Sequence, residues 1–244
     1  MAVINYIMFS GLSIYTVQKS GTHFMSDIIS LMIDSNTDIY DKKSMYTIVP
    51  HLIKFNINVS IFSTHPCYIN AGLIANHNYG FIIMIRNPLD ICISKYFYNE
   101  LRKSNPRTIF SYVATNILTV SNNMFSLYLT YNKYINRSII IRFEDLILDL
   151  DNTLIKVFNF MKKHKNIEMP NYELIKQKVS FSEVNKQEKK RGLYKVGRVQ
   201  KTYFHRCGKI GQAKNHFTKQ QIAYLLKLIP KKIYKIYPQN MYCL

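Results

Sequence analysis

The stretch FIIMI, Phe81 to Ile85, is apolar at every position. A strand with one wet face alternates in polarity. Five consecutive strand-forming apolar residues call for cover on both faces. Arg86 and Asn87 follow, and Pro88 suits the first turn of a helix. The same grammar recurs along the chain. LSIYTV (Leu12–Val17) runs into a glycine turn, after which Phe24, Ile28, Leu31 and Met32 recur at helical spacing. VSIFST (Val59–Thr64) reads as a second strand, FIIMI as a third, and SIIIRF (Ser138–Phe143) as a fourth, with a helix near Asn152–Lys163. Strands that alternate with helices imply right-handed βαβ units. The expected fold is therefore α/β, a central parallel sheet flanked by helices. Ligands of such sheets sit outside the carboxyl ends of the strands. Residues 180–212 are polar, basic and glycine-punctuated and read as a long ordered loop, and a last helix is expected from Thr218 to before Pro230. No repeat and no linker interrupts the pattern, so a single domain over residues 1–244 is expected, its core spanning about 12–218.

Chemistry-bearing residues gather at these strand ends. After the first strand come Lys19, Ser20, Gly21 and Thr22, opening a helix. Such a turn aims backbone N–H groups at an anion, with hydroxyls and an ammonium added. It is also the pattern of an ordinary βα turn. The order differs from a Walker loop, whose lysine follows the last glycine. After the second strand comes STHP with His65, a candidate general base or a surface loop histidine. After the third comes Arg86, with Ser94 eight residues on. Arginine's fork suits phosphate, and Asp90 offers the alternative of a local salt bridge. After the fourth come Glu144 and Asp145, candidate carboxylate catalysts or, more simply, caps and partners of a basic loop. Near the C-terminus, Arg206, Gly208 and Gly211 form a second candidate anion nest or a solvated basic loop.

Taken together, K-S-G-T, T-H-P, R-[ND]-P-x-D-x-x-x-S, [YF]-E-D-L and R-x-G-x-x-G-x-x-K-N-H-F-T occur here in one order, from about Tyr15 to Thr218. This order resembles that of the sulfotransferases of cytosolic type, which use 3′-phosphoadenosine 5′-phosphosulfate and have a P-loop-like fold. The resemblance implies a fold and a set of roles. Lys19, Ser20, Gly21 and Thr22 would hold the 5′-phosphosulfate end, and His23 and Phe24 would also line the cofactor site. Arg86, Ser94, Arg206, Cys207 and Gly208 would hold the 3′-phosphate, and Phe24 and Phe181 would pack near the adenine. His65 would act as general base and Lys19 would stabilise developing charge. No metal is implied. The acceptor would be a hydroxyl or amine on a small molecule or glycan.

The chain also departs from that pattern. Ser63 stands where the family often has lysine, Phe143 replaces a tyrosine, and Phe24 and Ala213 replace tryptophans. His23 replaces threonine or asparagine, and Val179 stands near a usual threonine. The family's dimer motif keeps Lys214 and Thr218 but has Lys219 and Ala223 at two other places, so a monomer or weak homodimer is expected.

Composition adds bounds. Lys and Arg number 33 against 14 Asp and Glu, a formal charge of +19. That balance calls for an anionic partner or reflects a bias toward Lys, Asn, Ile and Tyr. It leaves two rival readings: a non-catalytic basic protein that binds nucleotide or nucleic acid, and a nucleotide kinase with an irregular loop. Nucleic acid is not the expected partner, because His65 and the glycine loop would then have no role. No apolar run approaches the ~20 residues of a membrane helix, and the first residues lack a basic leader. Cys67, Cys92, Cys207 and Cys243 are scattered without metal spacing and suit a reducing compartment, so a cytoplasmic location is expected.

Overall fold

The computed structural model describes residues 11–36, 53–54, 60–64, 79–100, 103–163, 167–190 and 208–238. Its centre is a five-stranded sheet. The strands are β1 (Gly11–Thr16), β2 (Ile53–Lys54), β3 (Ser60–Thr64), β4 (Tyr79–Ile85) and β5 (Ser138–Arg142), in spatial order β2-β3-β1-β4-β5. β1 lies parallel to both β3 and β4, and β4 lies parallel to β5. The two-residue β2, which carries no signal in the sequence, pairs antiparallel at the β3 edge. The α/β expectation therefore holds, with one short antiparallel strand added.

Side chains of each strand divide between two cores with the strand period of two. Leu12 and Ile14 of β1, Ile82 and Met84 of β4 and Ile141 of β5 face one core, with Met25, Ile28 and Ile29 of α1 (Thr22–Ile33). Phe81, Ile83 and Ile85 of β4 and Tyr15 of β1 face the other. Ile91 and Ile93 of α2 (Pro88–Lys95) cover that face, with Val113, Ile117, Val120 and Met124 of α3 (Ile109–Lys133). This two-sided cover is why FIIMI carries no polar residue. Each such side chain contributes about 1.5–3 kcal/mol by leaving water.

Around these lie α4 (Phe143–Leu148), α5 (Leu150–Lys162), α6 (Tyr172–Val179), α7 (Phe181–Lys190), α8 (Ala213–His216) and α9 (Lys219–Lys227). Local chemistry marks several ends. Asn87 Oδ1 accepts from Leu89 N–H and Pro88 opens α2. Thr218 and Gln221 form a reciprocal capping box on α9, so the threonine read as part of a dimer motif has a local structural role. Two segments differ from the sequence reading. α3, the longest helix described, carries no motif. α7 occupies residues read as loop. Only Phe181 and Val184 in α7 are large and apolar, so its periodicity is faint. It is held instead by good helix formers, by Glu183 in its first turn and Lys189 and Lys190 in its last, and by a Gln187–Glu183 hydrogen bond at 2.6 Å. Among the described residues no helix is long and apolar enough to cross a membrane, and no cluster of His, Cys, Asp and Glu is arranged to hold a metal ion.

Candidate functional site

The turn between β1 and α1 is built by its own backbone. Ser20 N–H donates to the Val17 carbonyl at 3.1 Å, and Met25 N–H to the Gly21 carbonyl at 3.0 Å. The hydroxyls of Thr16 and Thr22 meet at 2.6 Å across the turn. Two residues here have left-handed backbone, Lys19 at φ 76° and Gly21 at φ 92°. Glycine is required at 21 for a second reason: a Cβ there would lie 2.6 Å from Cδ2 of Phe143. Gly21 gives α1 no side-chain cap, and the first turn of α1 has no acidic residue. The positive end of the helix, with N–H groups that lack intrahelical carbonyls, is thus left to a ligand or water. The Ser20 hydroxyl is buried and finds no hydrogen-bond partner among the described residues, an orphaned donor in the turn.

Arg86 joins this turn to a second one. Its Nη1 donates to the Lys19 carbonyl at 3.1 Å and its Nη2 to the Lys209 carbonyl at 2.9 Å. Its guanidinium lies 4.2 Å from the centre of the Phe143 ring. The local salt bridge to Asp90 is therefore not its main tie, since that separation is 4.0 Å. Asp90, fully buried, instead accepts from Gly211 N–H at 2.9 Å and from Gln212 N–H at 2.8 Å. The third and fifth motif segments are stitched together in this way, and Gly208 (φ 56°) and Gly211 (φ 66°) let the second turn close.

Glu144 was a candidate catalyst or cap. It lies buried, and its Oε1 accepts from Asn87 N–H at 2.9 Å. Burial raises its pKa, partly offset by the Asn87 N–H, the Tyr237 hydroxyl and the Arg86 charge. Its place is structural. Pairing across 57 residues left no trace in spacing.

Phe24 of α1 and Phe181 of α7 are stacked on one another, centroids 5.4 Å apart and planes inclined by 28°. A base sandwiched between two rings needs about 7 Å between them, twice the optimal carbon–carbon contact. In this arrangement the pair presents one shared aromatic face rather than a slot. Gly208 abuts that pair: a Cβ on it would fall 2.0 Å from Phe181 Cζ. Ser94 is half-buried on α2, and His23 half-buried in the first turn of α1. Thr64, at the end of β3, is in register with Tyr15 of β1. His65, Ser63's neighbour but one and the proposed base, lies outside the described residues, as do Arg206 and Cys207.

One contact had no sequence signal. Lys19 Nζ lies 3.4 Å from the ring centre of Tyr98, in the π-helical turn Tyr96–Glu100 that continues α2.

A largely parallel α/β sheet whose strand ends carry two backbone turns bridged by one arginine defines a protein of the P-loop-like α/β class. The residues present fit a ligand with separated anionic groups: an orphaned hydroxyl, an uncapped helix start and two left-handed glycine turns converge there. Residues 11–237 match the model of the sulfotransferase domain, and the chain belongs to that family. No curated protein matches the sequence at a significant level. Among solved structures, mouse sulfotransferase SULT7A1 complexed with PAP is similar at 18% identity and a TM-score of 0.60, covering 94% of this chain and 84% of that one. Two structures of retinol dehydratase share 13% identity. One, with androsterone and the inactive cofactor PAP, has a TM-score of 0.65 and covers 93% of this chain and 81% of that one. The other, with retinol and PAP, has a TM-score of 0.66 and covers 93% and 82%. At these identities the likeness concerns the fold.

Proposed function

We propose that the protein transfers a sulfuryl group from 3′-phosphoadenosine 5′-phosphosulfate to a hydroxyl or amine of a small-molecule or glycan acceptor. The observation that carries this reading is the Arg86 bridge, which ties the Lys19 and Lys209 turns together at the strand ends. Family membership and the PAP held by the similar structures support it.

The donor supplies the sulfuryl group and leaves as adenosine 3′,5′-bisphosphate. Lys19, Ser20, Gly21, Thr22, His23 and the Phe24 backbone bind its phosphosulfate end. Arg86 and Ser94 bind the 3′-phosphate together with Arg206, Cys207 and Gly208. Each terminal nitrogen of Arg86 carries two N–H groups, so a bond to a carbonyl does not exhaust it. Phe24 and Phe181 supply an aromatic face for the base. As the acceptor oxygen or nitrogen bonds to sulfur and the bond from sulfur to the phosphate oxygen breaks, His65 takes the acceptor's proton. General base catalysis of this kind typically contributes about 10²–10⁴-fold. Charge then grows on the departing phosphate oxygen, where Lys19 and the N–H groups of the turn stabilise it. The reaction needs no metal.

The test has two parts. Adenosine 3′,5′-bisphosphate should raise the melting temperature more than AMP or ATP at equal concentration. At 100 times its Kd the gain is about 2.7 kcal/mol. His65→Ala should lose turnover in a radiolabelled acceptor screen while binding that nucleotide nearly as well. No preference for the 3′,5′-bisphosphate, with tight salt-steep RNA binding in its place, would reject the transferase reading.

A further inference from the structure

Lys19 is the non-glycine residue with positive φ among those described, at 76°. Such a backbone persists only where its surroundings hold it. Two contacts do so from opposite ends. Arg86 donates to its main-chain carbonyl at 3.1 Å, and its ammonium rests 3.4 Å from the centre of the Tyr98 ring.

Tyr98 is presented by a firm base. The turn Tyr96–Glu100 is π-helical, its hydrogen bonds spanning one more residue than those of an α-helix. It therefore resets the direction in which side chains project beyond Ser94. Tyr96 is buried edge-on to Tyr112 of α3, centroids 5.7 Å apart, and Phe97 packs on His216 of α8 at 5.4 Å. The two rings that precede Tyr98 in the turn are thus packed against helices, and the half-buried Tyr98 turns its face to Lys19. A π face attracts an ammonium through its quadrupole without neutralising it, as a carboxylate would.

We propose that Tyr98 is a positioning residue for sulfuryl transfer: its ring fixes where the Lys19 ammonium stands, so that the charge is in place before the phosphate oxygen departs. This rests on the transferase reading above. A placed charge needs no reorganisation at the moment of reaction. The ring, rather than the phenol hydroxyl, is what matters.

The experiment pairs NMR with kinetics on the whole chain. Lysine is labelled with ¹³C at Cε, and Lys19→Arg assigns the Lys19 resonance. In the wild type that ε-CH₂ should lie upfield of the other lysines through the ring current of Tyr98. Tyr98→Phe should keep the upfield shift and hold kcat within about threefold. Tyr98→Leu should lose the shift and lower kcat by roughly tenfold or more, with the donor KM changed less than threefold and the melting temperature close to wild type. If Tyr98→Leu unfolds, Tyr98→Trp serves in its place: it keeps a π face, and the shift and kcat should both survive. A wild type without the upfield resonance overturns the proposal. So does Tyr98→Leu turning over like wild type, with the transferase reading left standing. Failure of the wild type to bind adenosine 3′,5′-bisphosphate overturns the transferase reading itself, and the role of Tyr98 in catalysis falls with it.

Discussion

Arg86 Nη1 donates to the main-chain carbonyl of Lys19, 67 residues earlier, while Nη2 holds the carbonyl of Lys209, 123 residues later. One guanidinium thereby fixes the spacing between two backbone turns. In the proposed function a ligand with two separated anionic ends would be measured by that spacing, and the residue that sets it would also offer further N–H donors to one of those ends.

Arg86→Lys keeps the charge and loses the fork. A single ammonium cannot span both carbonyls, so each is left with a weaker partner. Affinity for adenosine 3′,5′-bisphosphate should fall about 10–100-fold, or about 1.4–2.7 kcal/mol, by titration calorimetry. The melting temperature should fall as well, because hydrogen bonds to charged groups contribute about 1.5–3 kcal/mol each. Wild-type affinity in the variant would mean the bridge does not set the spacing.

Gly208 and Phe181 make a second coupled pair. A Cβ at 208 would meet the Phe181 ring at 2.0 Å, and φ is 56°. Gly208→Ala should cost about 1–3 kcal/mol in urea denaturation from backbone strain and overpacking together. Only the overpacking depends on the ring. In a Phe181→Ala background the glycine replacement should therefore be cheaper by about 1 kcal/mol. Equal costs in both backgrounds would remove the steric account.

Asp27, on the second turn of α1, has a pKa raised well above its ordinary 3.8 because burial penalises the charge. The folded state prefers the protonated acid. That preference favours folding fully at pH below 3.8 and is lost as pH rises through the raised folded value. At neutral pH the unfolded chain gains from ionising Asp27 while the buried carboxyl resists it, so this residue burdens the fold. Asp27→Asn should raise the melting temperature at pH 7 by roughly 2–4 °C for each kcal/mol removed, and the gain should vanish at pH 3.5. A gain that is the same at both pH values would assign the effect to something other than titration.

Much of this was visible in the residues themselves. FIIMI announced a strand covered on both faces because each of its side chains meets a core, and that demand is local to the strand. The K-S-G-T turn declared its glycine because left-handed backbone at residue 21 admits little else. The two-residue β2 and helix α7 were not legible. The first is too short for periodicity, and the second has too few apolar residues to show a face.

The order of motifs along the chain was enough to indicate the α/β class and the family it resembles, since hydrophobic period and turn residues act over a few neighbours. Who bonds to whom at the strand ends was decided only in three dimensions. Asp90 was the nearest partner for Arg86 along the chain, yet it spends its carboxylate on Gly211 and Gln212, and Arg86 takes two carbonyls. Glu144 serves Asn87, and Lys19 meets Tyr98. These pairings arise because β1 lies between β3 and β4, which brings distant segments to the same end of the sheet. Sequence spacing carries no record of that adjacency.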